Sequence, residues 1–96
     1  MACNRTAPAQ ATADSMGKFV AHADAKFCLA LGDNFYGGHG VANEYDELFK
    51  GTFEDVFVAP SLQYPFRFHL IAGNVDHYGN LTGQTEYSMH SKRWHF

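Results

Sequence analysis

Two short apolar runs, each stopped by a glycine and then by polar side chains, constrain this chain more than any other feature. Phe27 to Leu31 is followed by Gly32, Asp33, Asn34, Phe35 and Tyr36. Phe66 to Ala72 is followed by Gly73, Asn74, Val75, Asp76 and His77. Runs this short suit strands better than helices. The first has no polar alternation, which is the form of a strand buried on both faces of a parallel sheet. In the second, Phe66, Phe68, Leu70 and Ala72 share one face, and Arg67, His69 and Ile71 share the other. Ligands of open α/β sheets bind at the carboxyl ends of the strands, so chemistry is expected at the residues that follow each glycine.

The segments around these runs complete a fold of the α/β (α+β) class. Residues 1 to about 12 read as a loose arm and 13–96 as one partial domain. Thr12 to Ala25 favours helix, with Met16, Phe19, Val20 and Ala23 as an apolar stripe. Gly37, Gly38 and Gly40 imply backbone that turns sharply, with His39 exposed among them. Asn43 to Phe57 has the pattern of a long amphipathic helix: Val41, Tyr45, Leu48, Phe49, Thr52, Phe53, Val56 and Phe57 fall on one side, with acids on the other. Asn43 would cap it and Pro60 would end it. Strand, helix and strand then make a βαβ unit across Phe27 to Ala72. Thr82 to Trp94 has helical spacing that turns Gln84, Tyr87, Ser91 and Trp94 inward, with no further strand after it.

Composition removes several function classes. A chain of 96 residues holds one domain at most. Its formal charge of −3, without a basic block, argues against nucleic acid as a partner. No apolar stretch is long enough to span a bilayer. Met1 to Ala13 lacks the basic start and apolar run of a secretory signal. Cys3 and Cys28 are too few for a disulfide framework, and Cys28 reads as a small buried hydrophobe. His69 has no partner near it in sequence and reads as a packed residue. Asn80-Leu81-Thr82 is a glycosylation triplet, and Asn80 reads equally as a helix cap.

Side by side and parallel, the two strands would bring Asp33 and Asn74 toward one point, because neighbouring strands lie about 4.8 Å apart. A carboxylate can bridge two cations and an amide oxygen suits a hard one. Tyr36 adds a phenol, whose ionised oxygen suits ferric iron better than zinc. The simpler reading is that Asp33 and Asn74 cap turns, as residues after glycine commonly do.

Gly32-Asp33-Asn34-Phe35-Tyr36 resembles the Gly-Asp-x-x-Tyr block of purple acid phosphatases, and Gly73-Asn74-Val75-Asp76-His77 resembles their Gly-Asn-His-Asp/Glu block. Thr52 to Phe57 and Ser91 to Trp94 resemble the small tartrate-resistant members of that family. The resemblance runs from about Ala23 to the end of the chain. It implies a βαβ fragment of a calcineurin-like metallophosphoesterase β-sandwich flanked by helices. It implies hydrolysis of phosphate monoesters at acid pH by a ferric iron paired with a second divalent metal, iron or zinc. By resemblance Asp33 is the carboxylate bridging both metals, Tyr36 the ferric tyrosinate and Asn74 a ligand of the divalent metal. It also implies a secreted or lysosomal location.

The departures from the family pattern are equally specific. Its first block, Gly-Asp-x-Gly, and its later Val-x-x-His and Gly-His-x-His blocks have no match here. The His that follows the ligand Asn is Val75 in this chain. Loss of a general acid–base group commonly costs ~10²–10⁴ in rate. His77 matches another family position and is not expected to replace the missing imidazole. The free chain is therefore expected to be an inactive fragment with an incomplete site and exposed sheet edges that invite self-association. A non-catalytic descendant serving as an interaction module is the alternative. A third expectation is an incomplete gene model, for which the unfamiliar first residues would be a spurious start.

Overall fold

The computed structural model describes residues 7–35 and 40–96. Helix α1 (Ala7–Ala23) leads into strand β1 (Phe27–Ala30). A π-helical turn (Phe49–Glu54) and a 3-10 turn (Pro60–Leu62) precede strand β2 (Arg67–Leu70). A second 3-10 turn (Asp76–Tyr78), helix α2 (Leu81–Tyr87) and strand β3 (Trp94–His95) follow. The strands form one parallel sheet in the order β1-β2-β3. Phe27 lies opposite Arg67 and Ala30 opposite Leu70, while Phe68 lies opposite Trp94 and His69 opposite His95. The mixture of helices with a parallel sheet is the expected class.

Several expectations change. Residues 7–12 belong to α1 instead of a loose arm. Alanine is the best helix former, and Pro8 sits in the first turn, where its missing N–H costs nothing. Gln10 also anchors this end, because its Nε2 donates to the Val56 carbonyl at 2.9 Å. The inward stripe of α1 is Ala13, Gly17 and Val20, and Phe19 stays exposed. Small residues face inward because the helix lies so close to the 3-10 turn that a Cβ on Gly17 would overlap that of Ala59.

The long amphipathic helix expected over Asn43 to Phe57 is a π-helical turn between irregular turns. Asn43 Oδ1 accepts from the Tyr45 amide at 2.8 Å, and Asp46 accepts from the amides of Ala42 and Leu48. These side chains supply the local backbone partners that a helix would have used. Downstream, the Asp55 amide donates to the Lys50 carbonyl at 2.9 Å, five residues back. The apolar residues still face inward: Val41, Phe49, Thr52, Phe53 and Val56 are buried, although Tyr45 is exposed. The parallel crossover survives with its helix reduced to these turns.

The C-terminal segment also differs. The helix expected over Thr82 to Trp94 stops at Tyr87, and Trp94 lies on β3, so the sheet has three strands where two were expected. Gln84, Ser91 and Trp94 are buried as expected. Trp94 stacks with Phe35 and meets Phe49 and Phe53 edge-on. Arg93 crosses behind it, donating to the carbonyls of Phe57 and Leu62 at 2.7 and 3.0 Å. Its guanidinium lies over the Phe53 ring and 3.6 Å from Glu54, which also accepts from Ser91 Oγ. The Thr52–Phe57 and Ser91–Trp94 blocks are thus a mutual packing unit.

Alternation sorts the sheet. Phe66, Phe68 and Leu70 are buried on the inner face with Trp94, as the sequence pattern requires, and half-buried Cys28 and Ala30 join them. Burial pushes the Cys28 thiol up from its ordinary pKa. The outer face contradicts the expectation of a strand buried on both sides. Phe27, Leu29, Leu31 and Ile71 are 56, 62, 78 and 58% exposed. An unbroken apolar run specifies what both faces prefer, and here only one of them is packed.

Candidate functional site

The two strands end in step. The Ile71 amide donates to the Ala30 carbonyl at 3.1 Å, one rung past the Ala30–Leu70 pair. Beyond it the chains turn together. Gly32 (φ 105°) and Asp33 (φ 52°) adopt left-handed backbone, which glycine enters freely and aspartate tolerates. A Cβ on Gly32 would lie 2.7 Å from the Gly73 amide nitrogen. A Cβ on Gly73 would overlap the Asp33 amide nitrogen and carboxylate oxygen. The two loops therefore approach backbone to backbone, with the Asp33 carboxylate lying against Gly73.

The expected ligands stand differently around that contact. The Asp33 carboxylate, half-exposed, accepts from the Val75 amide at 3.1 Å. Asn74, the neighbour of both Gly73 and Val75, is exposed. Tyr36, like Gly37, Gly38 and His39, lies outside the described residues. Val75 precedes the 3-10 turn, is half-buried and contributes its backbone amide. His77 is exposed within that turn. Asn80 caps α2, its Oδ1 accepting from Gly83 at 3.3 Å and its Nδ2 donating to Ala42 at 3.2 Å.

The residue that gathers the site was not expected. Asp76 is fully buried, and its carboxylate receives five hydrogen bonds. The Asn34 amide reaches both oxygens at 3.0 and 3.1 Å, and the Phe35 amide reaches Oδ1 at 3.3 Å. From the second loop the Gly73 amide donates at 2.9 Å, and Gln84 Nε2 donates at 3.1 Å. Gln84 is itself fixed. Its Oε1 accepts from Asn34 Nδ2 at 3.1 Å and its carbonyl from Trp94 Nε1 at 2.8 Å. Asn34 Nδ2 also reaches the Ile71 carbonyl at 3.0 Å. Charge-assisted bonds of this kind are the stronger ones. Asp76 ties the first loop to the second, and Gln84 ties both to the core. An acid three residues after Gly73 was the available signal.

Chemically, the strand ends carry a half-exposed carboxylate, Asp33, on one loop and an exposed side-chain amide, Asn74, on the loop it touches. Such a set fits a hard cation. Among the described residues, no three His, Cys, Asp or Glu side chains converge.

No protein-family model matches the chain. Tartrate-resistant acid phosphatase type 5 of Oryctolagus cuniculus is 48% identical over 91 residues, covering 95% of this chain and 27% of that protein. The Homo sapiens counterpart is 45% identical over 91 residues, with the same 95% and 27% coverage. The chain is a member of the purple acid phosphatase family. Purple acid phosphatase 3 of Arabidopsis thaliana is 36% identical over 69 residues, 72% of this chain and 18% of the plant protein. The chain spans about a quarter of the length of the mammalian relatives. Among solved structures, one described as GAP50, the anchor in the inner membrane complex of Plasmodium, matches with a TM-score of 0.82. It covers 98% of this chain and 30% of that chain at 22% identity, a likeness of fold. The Thr52–Phe57 and Ser91–Trp94 blocks have a physical role in this chain: they hold the crossover against β3.

Proposed function

We propose that this chain is a segment of an acid phosphatase acting on phosphate monoesters, with Asp33, Tyr36 and Asn74 as its share of the metal ligands. The observation that supports the reading is the close contact of Gly32–Asp33 with Gly73, together with the Val75 amide bonded to the Asp33 carboxylate, at two parallel strand ends. A dinuclear iron or iron–zinc centre, when bound, supplies an activated water and a clamp for the phosphoryl group. The chain's own residues have narrower tasks. The Val75 amide orients the Asp33 carboxylate, and Asp76 keeps both loops in place. Val75 carries no proton to donate or accept. His77 is a weak candidate for that role, being exposed on the neighbouring turn. A secreted or lysosomal setting, with Asn80 as a glycosylation position, goes with this reading.

A chimera tests it. This chain replaces the matching 91 residues of the rabbit relative, and the product is loaded with iron. Retention of a visible tyrosinate-to-iron band, lost on Tyr36→Phe, is expected. Turnover of p-nitrophenyl phosphate is expected to be ~10²–10⁴ lower than in the rabbit enzyme and to recover with Val75→His. A folded chimera that binds no iron overturns the assignment. The isolated chain with added iron and zinc is expected to show negligible turnover. Activity abolished by Asp33→Ala would reverse that expectation.

A second reading, a non-catalytic interaction module, is favoured by Val75 and by the exposed apolar side of β1. Metal-independent cooperative unfolding and self-association through that side would support it.

A further inference from the structure

We propose that His69 and His95 form a second metal site, on the outer face of the sheet, for a late first-row divalent cation such as Zn²⁺ or Cu²⁺. His69 has no imidazole near it in sequence, but the parallel register of β2 and β3 places it directly opposite His95. Partners on neighbouring strands project from the same face. Their rings are 5.1 Å apart, centroid to centroid, and inclined at 65°. Zinc–nitrogen bonds of about 2.0–2.1 Å place a metal about 3.2 Å from each ring centroid, so two imidazoles on one tetrahedral ion have centroids about 5 Å apart. The backbone therefore already holds the rings at a chelating separation. The terminal side-chain torsion is soft, so the rings can turn to re-aim their nitrogens while their centroids stay at nearly this separation.

The surroundings suit this use. His95 is exposed and His69 half-buried, so an ion can reach both. Phe27 meets His69 edge-on at 5.6 Å and walls its other side. Arg67, two residues before His69 on β2, is engaged over the Tyr64 ring. Two imidazoles without a thiolate select zinc, copper or nickel over magnesium and calcium, with copper held most tightly. Water completes the coordination. The proposal is independent of the phosphatase reading. Its residues lie within the ladder, whereas Asp33 and Asn74 lie beyond the strand ends.

The test uses the metal-free 96-residue chain titrated with Zn²⁺ against a chromophoric chelator, and with Cu²⁺ by electron paramagnetic resonance. One ion per chain is expected, with two coupled imidazole nitrogens in the copper spectrum. His69→Gln and His95→Gln should each weaken binding by at least the ~10-fold that loss of even an outer partner costs. The double variant Asp33→Ala, Asn74→Ala should retain the site. Unchanged affinity in either histidine variant overturns the proposal. Should a variant fail to fold, the wild-type chain decides. Sub-stoichiometric Cu²⁺ should broaden the imidazole resonances of His69 and His95 before those of His22, His77 and His90, and the reverse order overturns the assignment.

Discussion

The inner and outer faces of the sheet come from the same short strands, yet they have opposite fates. Inward, Phe68, Leu70 and Trp94 meet a shell of rings supplied by Phe35, Phe49 and Phe53. Outward, Phe27 and Leu29 are as apolar as anything inside but remain exposed, beside His69 and His95. Apolar character alone does not bury a residue. Among the described residues, the crossover and the segment before β3 deliver their buried aromatic side chains to the inner side. Stability is therefore expected to reside in the inner face, and association in the outer one.

The sharpest way to break this contrast is Trp94→Ala. It removes a buried ring and leaves the Gln84 carbonyl without its donor. A loss of about 3–5 kcal/mol is expected in urea unfolding, and a loss near zero would mean that the inner face is not the core. Asp76→Ala comes next, at about 2–4 kcal/mol, because buried amides of both loops lose their acceptor. Its signature is local, with faster hydrogen exchange at Asn34, Phe35 and Gly73. A smaller, pH-confined effect belongs to Tyr87, stacked on Phe49. Burial, then the Glu54 carboxylate, push its phenol up to about 12, against the opposing pull of Arg93. The folded state thus holds its proton more tightly than the unfolded chain does. The associated stability is complete below about pH 10 and lost as pH rises toward 12. Tyr87→Phe should flatten that limb of the unfolding curve. The smallest change is expected for Leu29→Ser on the outer face, within about 0.5 kcal/mol. The same variant should reduce any self-association seen by sedimentation. A large loss of stability there would show that the outer face is packed after all.

Legibility in the sequence followed the same division. Alternation across Phe66 to Ala72 was readable because a strand has a period of two, and the inner residues fell where it put them. Phe27 to Leu31 misled because an unbroken apolar run does not say how many of its faces are covered. Asn43 and Asp46 defeated the helical pattern through bonds to their own backbone, which no periodicity reports. β3 is two residues long and owes its place to β2. At the strand ends, the approach of Asp33 to the Gly73–Asn74 loop followed from placing the strands parallel. The role of Asp76 did not, because its donors come from two loops whose contact is visible only in three dimensions. Tyr36 lies outside the described residues.

The ladder also has a consequence for time. Phe27 pairs with Arg67 and Phe68 with Trp94, so no rung joins residues close in sequence. About forty residues must be looped out before β1 can meet β2. The sheet has no local turn from which to zip, and non-local topologies of this kind fold slowly. During that delay β1 presents an unpaired edge together with Phe27 and Leu29. Whether a newly made chain pairs with its own β2 or with a neighbouring copy becomes a race, and chain concentration decides it.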